Sequence, residues 1–286
     1  MTLMTGQRDS VLGQILVAVG GSESSYSALN YALDLAQADG RAVNALIIQE
    51  SWITPELIYA RGQHLSHLAE ELALTIRHAA DDTERRTLEL AKRREVAICV
   101  QRETGVVSDC VVAAAGRSSL LILGRQGHRV SRSELLGSNT ESIVRRTHKP
   151  LLIAPRQHRR VRNVLVAFGG KDLGGLALDT GREVARALRV PLEVLTVAAK
   201  LEAASATQER AKARLSGVES QTTFSVETGD TATEIIARSA VDTLVVMGAY
   251  GHSRLYHMML GSVTEQVIRF AQGPVLLSAK QVMPSD

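Results

Sequence analysis

Short runs rich in aliphatic and β-branched residues recur along the chain, and stretches with helical periodicity separate them. Runs that are apolar throughout, instead of alternating with polar residues, are typical of parallel strands covered on both faces. The runs lie at residues 15–19, 43–48, 96–100, 120–123 and 151–154, then at 164–168, 192–197, 222–226, 244–247 and 275–277. Helical periodicity is clear at residues 24–38, 66–93 and 179–188. The pattern predicts an α/β protein with two tandem, doubly wound domains, each a five-stranded parallel sheet with helices on both faces.

The chain has 286 residues, which suits two domains of about 140 residues better than one core. We expect the first domain at residues 1–156 and the second at 160–286. Residues 155–162 lack an apolar period, so we expect them to form a solvated linker. The first domain has a longer connection between its second and third strands, at residues 51–94. This connection is either a surface insertion or, alternatively, a lid or an arm that docks a partner.

The composition argues against several classes of protein. Hydrophobic residues make up 45% and aromatic residues 3%, so the cores must be aliphatic and few rings are left to stack on nucleic-acid bases. A formal charge of +3 is also far from the clustered basic surface of a nucleic-acid binder. No run approaches the roughly 18 apolar residues of a membrane span, and the first ten residues lack the regions of a signal peptide. We therefore expect a cytoplasmic protein without nucleic-acid or membrane partners, and without a metal site, since Cys99 and Cys110 fit no metal-ligand spacing.

One glycine pattern occurs twice, with the spacing Gly-x2-Gly-x9-Gly-Ser. The two copies consist of Gly124, Gly127, Gly137 and Ser138, and of Gly248, Gly251, Gly261 and Ser262. Each copy follows a Glu-Thr-Gly triplet that ends 19 residues earlier, and each precedes Thr, Glu, Arg and Pro at matching positions. This agreement indicates that the two domains descend from one ancestral domain.

Each glycine pattern begins at the end of a predicted strand and finishes at the start of a predicted helix. Ligands of open α/β sheets bind at this edge, where glycines let backbone amides approach an anion and the helix start adds N–H groups and a positive dipole. The pattern therefore favours a phosphate ligand. A structural explanation of part of the pattern remains open, because Ser138 with Glu141, and Ser262 with Glu265, match a capping box that needs no ligand.

The glycine spacing, the residues Val245 to Met247 before Gly248, and the first strand Ile-Leu-Val-Ala-Val resemble the universal stress protein family over nearly the whole chain. The resemblance implies a sheet order of 3-2-1-4-5 in each domain and two domains packed as an intramolecular pseudo-dimer, with a homodimer of chains as a further option. It also implies a role in stress response and a bound adenine nucleotide, ATP, with or without Mg. The corresponding binding positions are Gly124, Gly127, Gly137, Ser138 and Asn139 in the first domain, and Gly248, Gly251, Gly261, Ser262 and Val263 in the second.

Both domains depart from the family at one position. Nucleotide-binding members usually have an aspartate at the end of the first strand, where this chain has Gly20 and Gly169. An interaction module of the same fold that binds no nucleotide therefore remains an alternative. A further alternative is an ATP-pyrophosphatase-like enzyme, because residues 19–24 and 168–173 contain the glycine pair of its Ser-Gly-Gly-x-Asp-Ser loop but not its leading serine. No general base is evident near either glycine pattern, so we expect no enzyme, or at most slow ATP hydrolysis.

Overall fold

The computed structural model describes residues 10–50, 66–127, 136–170, 172–215, 221–249 and 261–279. The first half contains β1 (Ile15–Ala18), α1 (Glu23–Asp39), β2 (Val43–Glu50), α2 (Ser66–Arg93), β3 (Ile98–Gly105), α3 (Val107–Ala115), β4 (Leu120–Gly124), α4 (Ser138–Arg146) and β5 (Leu151–Ala154). The second half contains β6 (Asn163–Ala167), α5 (Asp172–Leu188), β7 (Leu192–Ala198), α6 (Leu201–Arg214), β8 (Thr222–Thr228), α7 (Thr231–Arg238), β9 (Thr243–Gly248), α8 (Ser262–Phe270) and β10 (Val275–Ser278). Every apolar run that predicts a strand overlaps one, although the runs at 15–19, 96–100 and 164–168 extend one or two residues beyond it, and the α/β fold class is confirmed.

Among the described residues the strands form one ten-stranded sheet in the order β3-β2-β1-β4-β5-β10-β9-β6-β7-β8. Each half has the order 3-2-1-4-5, and all its strand pairs are parallel. The two halves meet where β5 pairs antiparallel with β10, with Ile153 opposite Val275 and Leu151 opposite Leu277. The sequence predicts two separate five-stranded sheets, and this strand pairing is what joins them into one.

The core consists of aliphatic side chains on the two faces of the sheet. Neighbouring residues of β4 illustrate this, because Ile122 belongs to the cluster under α1 and α5, whereas Leu121 belongs to the cluster under α3, α4, α7 and α8. Both side chains are completely buried. Burial of a side chain of this size stabilises the fold by about 1.5 to 3 kcal/mol. Strands covered on both faces in this way explain why the runs read as continuously apolar.

The linker between the repeats is mostly exposed, with residues 156, 157, 159, 160 and 162 open to solvent, but it is also attached to α1. His158 Nε2 lies 2.7 Å from a carboxylate oxygen of Asp34, and the His158 ring packs edge-on against the ring of Tyr31. The backbone N–H of Arg159 donates to the Tyr31 hydroxyl at 3.2 Å. Val161 is buried as well. The polar composition of this segment therefore reflects specific polar contacts with α1 as well as exposure to water.

The longer connection of the first domain contains α2, a helix of 28 residues. It packs against β2, β3 and α1, and it brings the buried residues Ala80, Thr83, Thr87 and Ala91 against them. The equivalent helix of the second domain, α6, has 14 residues. None of the helices in the described ranges has the combination of length and apolar character that a membrane span requires. Residues 51–65 of this connection lie outside the described residues.

Candidate functional site

A cleft of about 830 Å³ opens in the first domain at the carboxyl ends of β1, β2 and β4. This volume lies within the range of small-molecule sites, and the location is where open α/β sheets bind ligands. The five positions predicted for the first domain all line it: Gly124, Gly127, Gly137, Ser138 and Asn139. The fold thus brings together residues that the sequence spreads over 16 positions, from the end of β4 to the start of α4.

The glycines of the first copy are needed for different reasons. A Cβ on Gly124 would lie 2.6 Å from the carbonyl carbon of Ser24, so this glycine allows β4 to pack closely against α1. A Cβ on Gly137 would lie 3.3 Å from the backbone nitrogen of Gly127, where the two ends of the loop meet. A Cβ on Gly127 would meet no described atom within 4 Å. Of the three glycines, Gly127 is therefore the one where the lack of a side chain leaves open space in the cleft.

The start of α4 corrects the predicted capping box. Ser138 is the first helical residue and Gly137 is the N-cap, and no side chain of the described residues caps the helix. Glu141 instead pairs with Arg145 at 2.8 Å. The first backbone N–H groups of a helix have no acceptor within the helix. The N–H groups of Ser138 and Asn139 consequently have no side-chain acceptor in the described part of the chain, and both residues line the cleft.

Hydrogen bonds hold the two ends of the glycine loop in place. The Thr140 hydroxyl donates to the carbonyl of Gly124 at 2.9 Å, and the N–H of Gly137 donates to the carbonyl of Arg125 at 2.9 Å. On the other side, the N–H of Gln126 donates to the Ser24 hydroxyl on α1 at 3.3 Å. These bonds fix the end of β4 relative to the starts of α4 and α1. The amides at the helix start are therefore held in position before any ligand arrives.

The two glycines after β1 differ in role: Gly21 needs the backbone freedom of glycine, whereas Gly20 lies beside open space. Gly21 has a φ of 81°, which strongly favours glycine. Gly20 has an ordinary φ, lines the cleft, and a Cβ added to it would meet no described atom within 4 Å. The second domain repeats this arrangement, with a φ of 72° at Gly170 and open space at Gly169. The aspartate expected from the family would therefore fit at Gly20 without a steric clash.

Apolar and polar side chains both line the cleft, and α2 supplies several of the apolar ones. Leu72, Ile76 and Thr83 of α2 line the cleft, as do Val107 and Val111 of α3. The alternatives for the long connection were a surface insertion or a lid, and the structure shows its helix as a wall of the cleft. Two carboxylates also line the cleft, Glu50 and Asp82. Sequence spacing gave no signal for them, because they come from separate elements without any motif.

The second copy has the same local geometry where the structure describes it. Gly248 ends β9, Gly261 is the N-cap of α8, and Ser262 and Val263 are its first residues. Gly261 takes the cap position, and within the described ranges no side chain caps this helix, so the second predicted capping box is also wrong. A Cβ on Gly248 would lie 2.8 Å from Leu173, which repeats the packing role of Gly124. Gly251 lies outside the described residues.

Comparisons with known proteins agree on one family. The family model described as the universal stress protein family matches residues 12–155 and 160–278. A universal stress protein of Synechocystis is 32% identical over 191 residues, which cover 62% of this chain but only 63% of that relative. A universal stress protein of Mycobacterium tuberculosis is 25% identical, covering 92% of this chain and 94% of the relative. The crystal structure of a universal stress protein from Archaeoglobus fulgidus superimposes with a TM-score of 0.72 at 19% identity, covering 96% of this chain and all of that one, and so shares the fold. With its repeated glycine pattern, its two half-sheets and a family match in each half, this chain belongs to the universal stress protein family as a tandem, two-domain member.

Proposed function

We propose that the protein binds an adenine nucleotide, ATP, in the cleft of the first domain and acts in the stress response as a binding protein. The observation that carries this proposal is the start of α4. Its N–H groups at Ser138 and Asn139 have no capping side chain in the described part of the chain, and they open onto a cleft of about 830 Å³. A helix start of this kind is a binding site for phosphate because its N–H groups and its dipole both favour negative charge.

The residues present fit the two ends of a nucleotide unequally. At the phosphate end, Ser138 and Asn139 would donate backbone hydrogen bonds, and Gly127 would leave room for the phosphates to approach. The apolar side chains of the lining suit the flat base. The nucleoside end lacks the usual carboxylate, since Gly20 stands in its place. No group of three metal-ligating side chains occurs in the ranges that the structure describes. Any Mg²⁺ would therefore arrive on the phosphates, as is common for this ion.

The proposed role is binding, with hydrolysis slow at most. Asp82, one of the two carboxylates of the cleft, forms an ion pair with Arg85 at 2.8 Å. A general base must reach the attacking water in hydrogen-bonding geometry. An ion-paired Asp82 on a wall helix is less suited to that task than an unpaired carboxylate beside the phosphates. The second domain carries the same glycine pattern, and we propose that it is a further nucleotide site of the same kind.

An interaction module that binds no nucleotide is the second candidate. The replacement of the usual aspartate by glycine in both domains, at Gly20 and Gly169, favours it. A lost hydrogen bond to a charged group weakens binding by about ten- to a hundred-fold. In this case the cleft would be a feature inherited with the fold that binds no nucleotide, and the surfaces of the two domains would make the functional interactions.

Calorimetric titration with ATP separates the two candidates. Gly127→Val places a branched side chain in the cleft of the first domain at a position where a Cβ meets no described atom within 4 Å, so we expect it to abolish binding there and to leave the fold intact. Gly251→Val is the matched variant of the second copy and should leave the first site unaffected. In the wild type, ATP at 100 times its Kd should stabilise the fold by about 2.7 kcal/mol. Unchanged stoichiometry and affinity in Gly127→Val would contradict the proposed pocket of the first domain. No thermal shift of the wild type in millimolar ATP would favour the interaction module.

A further inference from the structure

The cleft of the first domain continues into a second hollow. This hollow, of about 460 Å³, lies between α1 and α2. Tyr26 and Asp82 line both the cleft and the hollow, which makes the two adjacent. A ligand held at the start of α4 can therefore extend past Tyr26 without leaving the protein surface. We call the second hollow the arginine groove, because Arg85, Arg86 and Arg93 line it.

The arginines of the groove differ in how they are held. Arg85 forms the ion pair with Asp82. The guanidinium of Arg86 lies 4.0 Å from the centre of the Tyr26 ring, an arrangement in which the ring face attracts the cation. Arg93 follows Arg86 by seven residues, which is two turns of helix, so both lie on the same side of α2. Glu89 is the other acidic residue of the lining.

The neighbouring charges indicate that Arg86 and Arg93 are available to bind an anion. Within the described residues, the ion pairs made by α2 use Asp81, Asp82 and Glu84, and none involves Arg86 or Arg93. By contrast, Arg102 on β3 contacts both Asp81 and Glu84. Asp82 thus pairs with Arg85 inside the groove, whereas Asp81 and Glu84 pair with Arg102 outside it. In the described part of the chain, the guanidinium groups of Arg86 and Arg93 have no carboxylate within ion-pair distance. Guanidinium groups bind phosphate through paired hydrogen bonds, which makes phosphate the ligand class that fits.

We propose that the arginine groove is a second phosphate subsite, and that the ligand of the first domain is a nucleotide with a phosphate-bearing extension, such as a dinucleoside polyphosphate. This inference rests on the proposed nucleotide site, which supplies the first anchor at α4. The extension passes over Tyr26, and its phosphates meet Arg86 and Arg93. In such a ligand the contacts to the nucleoside can contribute less to the total affinity, because the two phosphate-binding points act together on one molecule. That arrangement is consistent with glycine at position 20.

The test compares diadenosine tetraphosphate with ATP by calorimetric titration at low and physiological ionic strength. We expect the wild type to bind diadenosine tetraphosphate at least about tenfold more tightly than ATP, which corresponds to one charge-assisted contact. In the double variant Arg86→Gln with Arg93→Gln this ratio should fall to about one or two. The matched control, Arg77→Gln with Lys92→Gln, removes the same charge from exposed positions of α2 that do not line the groove and should keep the wild-type ratio.

The remaining outcomes separate the subsite from the nucleotide site. If ATP binds and the wild-type ratio is near one, the subsite is wrong and the nucleotide site stands. A ratio that falls equally in the control also overturns the subsite, because long-range charge then explains it. Tripolyphosphate tests whether the groove binds a free polyphosphate instead of the phosphates of an extended nucleotide. If it binds as tightly in Gly127→Val as in the wild type and only the groove variant abolishes its binding, the groove holds a separate polyphosphate and the extended nucleotide is wrong. If the wild type binds neither adenine compound, the nucleotide site itself fails.

Discussion

Nη1 of Arg125 donates a hydrogen bond to the carbonyl oxygen of Ala271, 2.7 Å away, and so connects the first repeat to the second. Nη2 of the same side chain donates to the carbonyl of Gly273 at 3.0 Å. Arg125 directly follows the strand-end Gly124, whereas Ala271 is the C-cap residue just after α8. Burial lowers the pKa of Arg125 to about 10, although the group stays charged at neutral pH. The matching position of the second repeat is Ala249, so the contact is not repeated by the internal symmetry.

Loss of the Arg125 side-chain charge should destabilise the contact between the repeats. Arg125→Met keeps the hydrocarbon stem but leaves two carbonyl oxygens of the second repeat without this donor, at a cost of about 1 to 3 kcal/mol. The measurement is the free energy of unfolding in urea. Arg156→Ala is the control, because its ion pair with Glu23 is largely exposed and should contribute less than about 1 kcal/mol. Equal losses in the two variants would contradict a specific role of Arg125.

Gly124→Ala tests the packing role of the strand-end glycine. Its methyl group would lie 2.6 to 2.8 Å from atoms of Ser24, two of them backbone atoms that cannot move independently of α1. Overpacking of this kind costs about 1 to 3 kcal/mol. Gly20→Ala, at an ordinary φ and with open space around it, should change the free energy of unfolding by less than about 0.5 kcal/mol. If thermal and urea unfolding rank the two variants in the opposite order, the packing role of Gly124 is wrong.

The fold could be predicted from the sequence because its strands are buried on both faces. Residues 151–154 illustrate this. All four are aliphatic, which is typical of a strand buried on both faces, and they form β5. The repeated glycine pattern was equally informative, because its spacing reflects backbone geometry at a strand end and a helix start. The wall made by α2 was not predictable in this way. An amphipathic helix period shows that a face packs, but not whether it packs over a cleft.

Contacts to backbone atoms are the part of the site that the sequence cannot reveal. Arg125 contacts carbonyl groups, and any residue at position 271 offers the same acceptor, so no pairing pattern marks the contact. The capping box is the opposite case, because the sequence contains its pattern but the structure does not form it. Ser138 and Glu141 have the right types and spacing, yet the helix begins one residue earlier than a Ser138 cap requires, because Gly137 takes the cap position. Residue types limit the choice of helix start, and the backbone around the glycines decides it.

Tyr31 should make stability fall at alkaline pH. Burial raises the pKa of its hydroxyl to about 12, so between about pH 10 and 12 the unfolded chain loses this proton before the folded protein does. The stabilising effect is fully present below pH 10 and is lost as the pH rises through about 12. Two pKa units correspond to about 2.7 kcal/mol. The free energy of unfolding between pH 9.5 and 12 should therefore decline less steeply in Tyr31→Phe, and identical slopes would contradict this account.

Glu183 should hold the start of the first repeat against the second. Its carboxylate, on α5, accepts hydrogen bonds from the backbone N–H groups of Val11 and Leu12 at 3.3 and 3.2 Å. In Glu183→Ala both N–H groups lose this acceptor, and we expect a loss of about 1 to 3 kcal/mol. Hydrogen exchange at Val11 and Leu12 should accelerate more than exchange in the strands. Glu209→Ala, which removes an exposed pair with Lys212, should leave both amides unchanged, and unaltered exchange in Glu183→Ala would show that another group holds the segment.

Gly20→Asp should strengthen nucleotide binding in the first domain. The position lines the cleft, has an ordinary φ and offers open space, so the carboxylate that nucleotide-binding members of the family usually carry there can be accommodated. A new hydrogen bond to a charged group corresponds to about a ten- to hundred-fold gain in affinity for ATP. Gly21→Asp is the control, because a φ of 81° strains a residue with a side chain and should lower stability without a gain in binding. Calorimetric titration of the two variants decides the question. If Gly20→Asp folds normally and its affinity for ATP equals that of the wild type, the nucleoside does not lie beside the end of β1, and a ligand of different shape must account for the cleft.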